Sequence, residues 1–557
     1  MSRAGRGLRG VVLVTTLAGF ALPILAGLGL TAAAAFGYLP AIGARTVSTQ
    51  AFSQLFAQPG LAESLRLTLL TGLASTLLSL IGACALLAHA PRVTRLLPPL
   101  LATPHAALAL GLAFLLSPSG WIARLLAPLA GWDTPPPLAT VNDPLGLALT
   151  LGLVAKELPF LLLMLTAAQN RLPVRKYLTL GAALGHSAAS VWLKVILPQL
   201  YPLIRLPVFI VLAYAMSVVD MALILGPGQP PPLAVALTRW FTDPDPAMIL
   251  PASAGALLLV ALIAAAIAAW LLAERGLARL GLLWLRRGQR NRHLSLAPAA
   301  LPAAVLIGAG LFALLLLALW AFAFRWSFPD LLPQSLTLRG WMRGQWAAPA
   351  LTTLALALAT TTLSLLLAIA WLEGEDRGHL PRARWATALL LAPLLLPQIG
   401  FLFGLNTLFL RLNLAPLPAV IWAQMLFVFP YVLLTLSDPW RALDPRQIRA
   451  AAALGAGPLR RLLRIKLPLL AAPLLSAAAL GIAVSTAQFL PTLFMGAGRV
   501  PTLTTEAVAL ASGADRRAAA ISGLLLAALP LLAYALALSL PPLIFRHRRD
   551  MKAHSDA

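Results

Sequence analysis

The chain reads as an all-α polytopic membrane protein with about twelve transmembrane helices, arranged as two parallel six-helix repeats. Three observations predict this. Of 557 residues, 60% are hydrophobic and 11% charged, too little charge to clothe a water-soluble surface. The apolar residues gather into runs of roughly twenty, the length that crosses a bilayer core at about 1.5 Å per residue. Landmarks of one half also recur 270 or 285 residues later in the other.

Taken in order, residues 1–10 carry Arg3, Arg6 and Arg9 ahead of an apolar run from Val11 to about Phe36. The small residues Ala32–Ala35 mimic a cleavage site, but a signal core is about 7–15 residues and this run is longer, so an uncleaved first helix is expected. Further runs lie near 65–88, 96–117, 145–168, 199–225 and 250–272. A basic stretch at 273–300, ending at Pro298, reads as the linker. The second set lies near 301–324, 349–371, 385–410, 416–437, 469–495 and 518–545. The halves are therefore set at 1–290 and 291–557.

Charge orients the chain. With the N-terminus inside, the cytoplasmic segments are 1–10, 89–95, 169–198, 273–300, 372–384, 438–468 and 546–557, and they hold 29 of the 42 Lys and Arg. That is the positive-inside asymmetry, and it places both termini in the cytoplasm. It also accounts for the net charge of +24 without nucleic acid. A lone cysteine, Cys84, forms no internal disulfide, and seven scattered His offer no metal-ligand spacing.

Two segments matched at a spacing of 270 carry the strongest pattern, at 179–198 and 449–468. Gly185 and Gly455 stand thirteen residues before Pro198 and Pro468. Val195 and Ile465 fall ten after the Gly, and Leu197 and Leu467 precede each Pro. Physically, the Gly permits a turn or a close backbone approach between two short helices, and the Pro suits the first turn of a new helix. The competing reading of each segment is an interfacial anchor helix. Gly226-Pro-Gly228 matches Gly496-Ala-Gly498 and Leu233 matches Leu503 at 270, while Thr68 and Ser79 match Thr353 and Ser364 at 285. Pro159 and Pro430 lie near the cytoplasmic end of each fourth helix.

These two segments resemble the cytoplasmic coupling loop of importer-type ABC transporter permeases, whose pattern is Glu-Ala-Ala, three residues, Gly, nine residues, Ile, one residue, Leu-Pro. Two copies resemble the fused permeases, such as those for ferric iron and thiamine. The family Glu is Thr179 in one copy and Arg449 in the other, and the Ala pair is Leu180-Gly181 in the first. The resemblance implies a bacterial inner-membrane location and two ATPase subunits, which would hold ATP and Mg²⁺. It also implies a periplasmic binding protein that delivers a small solute.

The chain has five lysines, and none follows a Gly, so it lacks a phosphate-cradling G-x-x-x-x-G-K-[ST] loop. No cofactor and no catalysis are expected here; ATP hydrolysis belongs to a separate chain. Polar residues within apolar runs are pathway candidates. Ser217 and Asp220 match Ser485 and Gln488 at a spacing of 268, each pair at i, i+3 and so on one helix face. Helix-to-helix hydrogen bonding is the bland account of both. Lys156 and Glu157 are adjacent in the fourth run and point different ways, and Gln398, Asn406 and Gln424 are weaker candidates. Arg205 is expected to snorkel to the cytoplasmic surface. The competing function is a twelve-helix secondary transporter driven by an ion gradient. A polytopic enzyme would need clustered His or carboxylates that the sequence lacks.

Overall fold

Hydrocarbon offers no partner to a backbone N–H or C=O, so apolar runs must satisfy their own backbone, and helices do so. A computed structural model describes residues 3–288, 295–378, 390, 392–513 and 515–544. Twelve principal helices follow the twelve runs. In the first half they are α1 (Gly10–Ala35), α2 (Leu61–His89), α3 (His105–Leu116), α4 (Leu147–Gln169), α5 (Leu197–Ser217) and α6 (Ile249–Arg286). In the second they are α7 (Ala297–Phe322), α8 (Ala347–Gly378), α9 (Ile399–Arg411), α10 (Pro416–Arg441), α11 (Ala471–Thr486) and α12 (Arg516–Ile544). Strands among the described residues are confined to two small hairpins, after α1 and after α7.

Among the described residues ten spans are long and apolar enough to cross, α3 only when joined to the helix Trp121–Ala130 that follows it, and α11 makes an eleventh when joined to the bent segment before it. The shortfall from twelve falls on α9. Its 13 residues reach about 20 Å, short of the roughly 30 Å core, and residues 385–389 of the predicted run lie outside the described residues. The predicted linker also changes, because α6 continues to Arg286. Its 38 residues measure about 57 Å at 1.5 Å each, so the helix projects well beyond a bilayer. Arg290 and Arg292 of the linker, the basic residues Arg382 and Arg384, and those after 545 lie outside the described residues.

The first helix of each half packs on the other half. α1 meets α8, α9 and α10, and α7 meets α2, α3 and α4, while each touches the sixth helix of its own half. Both crossings use small residues to bring backbones together. A Cβ on Gly404 in α9 would lie 2.0 Å from the Gly27 carbonyl oxygen of α1, and one on Gly111 in α3 would lie 2.5 Å from that of Ala313 in α7. The Gly404 N–H donates to Thr31 Oγ1 at 3.2 Å, and Trp422 Nε1 donates to the Gly19 carbonyl at 2.7 Å.

A buried hydrogen bond explains two of the repeats. Thr68 Oγ1 accepts from the Leu233 N–H at 2.8 Å, and Thr353 Oγ1 accepts from the Leu503 N–H at 2.8 Å. The residues matched at 285 and those matched at 270 are thus one joint, made once in each half. It ties α2 or α8 to the short helices Leu233–Phe241 and Leu503–Ala511.

Candidate functional site

The segments matched at 270 form the same backbone device twice. A helix at Val174–Ala183 or Pro445–Ala453 ends at a Gly in the left-handed region, φ +76° at Gly185 and +82° at Gly455. The stop is a Schellman motif: the His186 and Ala456 N–H groups reach back to the Gly181 and Ala451 carbonyls at 2.9 and 3.0 Å. The Gly is therefore required by its φ. At Gly455 no atom lies near enough to exclude a side chain. A second helix follows, and Ser187 caps the first copy of it by accepting from the Ser190 N–H.

The prolines lie in the first α-helical turn of new segments as expected, at Leu197–Ser217 and Leu467–Leu469, but each segment continues a helix already under way. Pro198 and Pro468 follow π-turns at Trp192–Ile196 and Leu462–Lys466. An extra residue in the turn makes room for a ring that would otherwise strike the carbonyl four residues back. In the first half the helix then runs unbroken from Ala188 to Ser217, whereas in the second it bends by 78° between Leu469 and Ala471. Val195 and Pro198 are exposed; Ile465, Leu467, Leu197 and Pro468 are half-buried. Leu180, Leu184, Leu454 and Leu459 point outward, Leu454 being 88% exposed. Gly181, a departure from the family pattern, has a local reason: a Cβ there would meet Val191 Cγ2 at 2.2 Å.

Sequence reasoning missed what holds the second element. Lys466, 5% exposed in its side chain, lies 2.6 Å from Glu373 Oε2 and 2.5 Å from Asp376 Oδ2 at the end of α8. Trp440 Nε1 also donates to Asp376 at 3.0 Å, and Arg377 and Arg441 pair with Glu373 and Glu375 at 2.8 and 3.0 Å. The available signal was the run Glu373-Gly-Glu375-Asp376, three acids in a chain with 18.

The pathway candidates separate. Lys156 and Glu157 do not pair. Lys156 Nζ donates to the carbonyls of Leu100, Leu101 and Thr103 at 2.8, 3.2 and 2.5 Å. Pro104 breaks the chain ahead of α3, and the lysine satisfies carbonyls that this break leaves without donors. Glu157 Oε1 instead lies 3.2 Å from His105 Nε2, and the His105 ring packs at a tilt against Tyr214, centroids 4.5 Å apart. Tyr431 of the other half is within electrostatic reach of both Glu157 and Tyr214, so this cluster sits where the halves meet.

Ser217 and Asp220 do not share a helix face. α5 ends at Ser217, whose Oγ donates back to the Ala213 carbonyl at 2.7 Å, and a separate short helix begins at Asp220, which is buried. The flanking elements also repeat at 270, since the short helices begin at Asp220 and Leu490. The spacing of 268 that linked the two pairs is thus two residues out of structural register. In the second half Ser485 Oγ donates to Gln424 Oε1 at 2.6 Å, and Gln424 Nε2 donates to Thr492 Oγ1 at 3.1 Å. Gln488 Oε1 is buried and has no hydrogen-bond partner among the described residues. Arg205 lies 3.3 Å from Glu274 of the α6 extension rather than simply snorkelling. Asn406 is half-buried in α9, next to the crossing with α1, and Gln398 stands just before that helix without a side-chain capping bond to it.

Comparison with known proteins agrees with this architecture. Residues 382–546 match the family described as the binding-protein-dependent transport system inner membrane component. The chain is 34% identical over 495 residues to the inner membrane ABC transporter permease protein YnjC of Escherichia coli (strain K12), covering 86% of this chain and 88% of that one. It is 31% identical over 168 residues to the molybdenum transport system permease protein ModB of Azotobacter vinelandii, covering 27% of this chain and 73% of that one. An all-helical, multi-pass chain with this likeness along most of its length is a non-catalytic membrane subunit whose ATPase is a separate chain: it belongs to the inner-membrane permeases of binding-protein-dependent ABC transporters.

Proposed function

We propose that this chain carries both permease halves of an importer, 1–290 and 291–557, and that each of its two Gly-stopped elements docks one ATPase subunit. The observation that carries this is the repeated device itself: a left-handed Gly that ends a short helix and leaves leucines in the open, Leu180 and Leu184 in one copy and Leu454 and Leu459 in the other. Exposed apolar groups on a backbone fixed by capping are what a protein partner needs. On this reading both termini are cytoplasmic and a periplasmic binding protein delivers a small solute to the opposite end. Closure of the ATPase pair around ATP and Mg²⁺ moves both elements, and the halves rock against each other.

The pathway would run between α4 and α5 on one side and α10 and α11 on the other. Its walls differ in chemistry. Glu157 and Asp220 offer carboxylates on the first, beside the His105 and Tyr214 rings, while Gln424, Ser485, Gln488 and Thr492 offer neutral hydrogen-bonding groups on the second. Two carboxylates favour a solute carrying positive charge, in keeping with the ferric iron or thiamine class.

The test is affinity purification of the chain from its native membrane, with and without Leu184→Asp and Leu454→Asp together. The wild type is expected to bring an ATPase with it, and the double variant to insert normally and lose that partner. An ATPase retained by the double variant would show that these leucines are not the docking surface.

A further inference from the structure

At the end of the bundle opposite the coupling elements, α3 and α7 end and α12 begins. There Arg124, Trp320, Trp326, Phe328, Arg516 and Arg517 line an open pocket of about 390 Å³. Two of the arginines are occupied in holding the fold. Arg124 donates from Nη1 to the Ser327 and Asp330 carbonyls, both at 2.6 Å, and from Nε to the Ser119 carbonyl at 3.0 Å. Arg517 donates to the Ala323 and Phe324 carbonyls at 2.7 and 3.1 Å. Arg516 lies over the Trp320 ring at 5.4 Å. Among the described residues its guanidinium makes one hydrogen bond, from Nη2 to Ser119 Oγ at 2.6 Å.

Carbonyl partners satisfy guanidinium protons but leave the charge uncompensated. The one carboxylate in the lining, Asp515, accepts from the Arg517 and Ala518 N–H groups at 3.1 and 3.0 Å and so caps α12. Three arginines against Asp515 in the lining and the nearby Asp330 carboxylate, which is within electrostatic reach of Arg124, leave the pocket with a surplus of one positive charge. The fold does not demand that surplus. In the other half Asp245 caps the equivalent turn in the same way, accepting from the Ala247 N–H at 2.9 Å. There, 270 residues before Arg516 and Arg517, the chain has Pro246 and Ala247.

The rim points to the kind of anion. The hairpin after α7 and the short helix Arg339–Met342 expose Phe324, Leu332, Leu336, Leu338 and Met342, the last at 82%. Phe324 also lines the pocket. The Trp341 ring stacks on Phe322 at 5.5 Å at the end of α7, an arrangement suited to the membrane boundary, where aromatic side chains gather. A free anion needs no such apron, whereas an amphiphile does.

We propose that this pocket binds the phosphate of an anionic phospholipid, with its acyl chains lying over the exposed apolar residues of 324–342. Arg516 supplies the free donors, and Arg124 and Arg517 supply charge from fixed positions. This inference rests on the membrane assignment and is independent of how the chain couples to an ATPase.

The experiment uses the full-length chain, purified in detergent and stripped of lipid, and measures lipid retained per chain by native mass spectrometry during titration. Phosphatidylglycerol is expected to bind more tightly than phosphatidylcholine. The Arg516→Gln/Arg517→Gln variant should weaken phosphatidylglycerol about 30-fold, at roughly fivefold per arginine near a membrane surface, and Arg516→Lys should retain most of the affinity. Equal binding of the two lipids, or an unchanged affinity in the double Gln variant, overturns the proposal. So does Arg516→Lys behaving like Arg516→Gln, because charge would then not be the cause. Displacement of phosphatidylglycerol by inorganic phosphate at matching concentrations would make the pocket a free-anion site and sink the lipid reading.

Discussion

The Gly-stopped element at 174–196 rests on packing, and its counterpart at 445–466 is held by charge. In the first, Val191, Trp192 and Ile196 are buried, Lys194 lies 4.4 Å over the Trp284 ring, and the extension of α6 supports the start of α5 through Trp270, Tyr201 and Glu274. In the second, the place of Ile196 is taken by Lys466, and the support comes from the acids that end α8. Both keep the left-handed Gly, the Schellman stop and the π-turn. The shared parts set the shape of the exposed element, and the parts that differ set how that shape is attached to the bundle. One element continues straight into its spanning helix and the other reaches it through a 78° bend, so equal pushes on the two would be passed on differently.

Four sets of substitutions test the two halves against each other. The largest effect is expected at the crossings common to both halves. Gly404→Leu places carbon against the Gly27 backbone, which no rotamer change relieves. Folded protein should be lost from a detergent gel-filtration profile, with Gly111→Leu in the other half behaving alike.

Next is Lys466→Met, which leaves Glu373 to Arg377 and Asp376 to the Trp440 N–H. Removing one member of a buried pair costs about 3–5 kcal/mol, toward the lower end here because Asp376 is partly exposed. A lowered midpoint of thermal unfolding is expected, partly recovered by adding Glu373→Gln. If the midpoint does not move, the second element is not held by charge.

Gly455→Ala and Gly185→Ala should each cost about 1–2 kcal/mol for a left-handed residue with a Cβ. Asn should do better than Ala at both positions, and transport assays of the four variants would show whether the two stops carry equal weight. The smallest effect, about 1 kcal/mol, belongs to Thr68→Val and Thr353→Val, each losing one buried hydrogen bond. Equal losses in chemical unfolding are expected, because the joint is the same in both halves.

Much of this was legible in the sequence because it depends on local chemistry. Runs of apolar residues specify helices, and a Gly with Leu-Pro at fixed distances specifies a stop and a turn. Thr68 and Leu233 were each visible as repeats, but nothing in the spacing said that one bonds the other, since the contact joins residues 165 apart. The crossing of α1 onto α9 was hidden for a related reason. Helices that are apolar on every side give no periodic sign of which face packs, and the glycines that choose the face are common in such helices. Lys156 stood open between packing, a gate and ligand contact, because its carbonyl partners depend on the break at Pro104, 52 residues earlier. The pairing of Asp220 with Gln488 failed because matching by residue type overlooked the helix break that sets the register.

The exchange of first helices bears on the order in which the protein is made. α1 leaves the ribosome well before α9, and the Thr31 side chain meets its partner there only after another 373 residues have been added. Until then its glycine seam faces lipid or the insertion machinery, and the bundle of the first half is missing α7. Neither half can mature alone: α7 must insert before the first closes, and α1 must wait for the second. A chain that joins both in one translation product keeps the waiting helix tethered to its destination, which turns a search between separate molecules into a search within one.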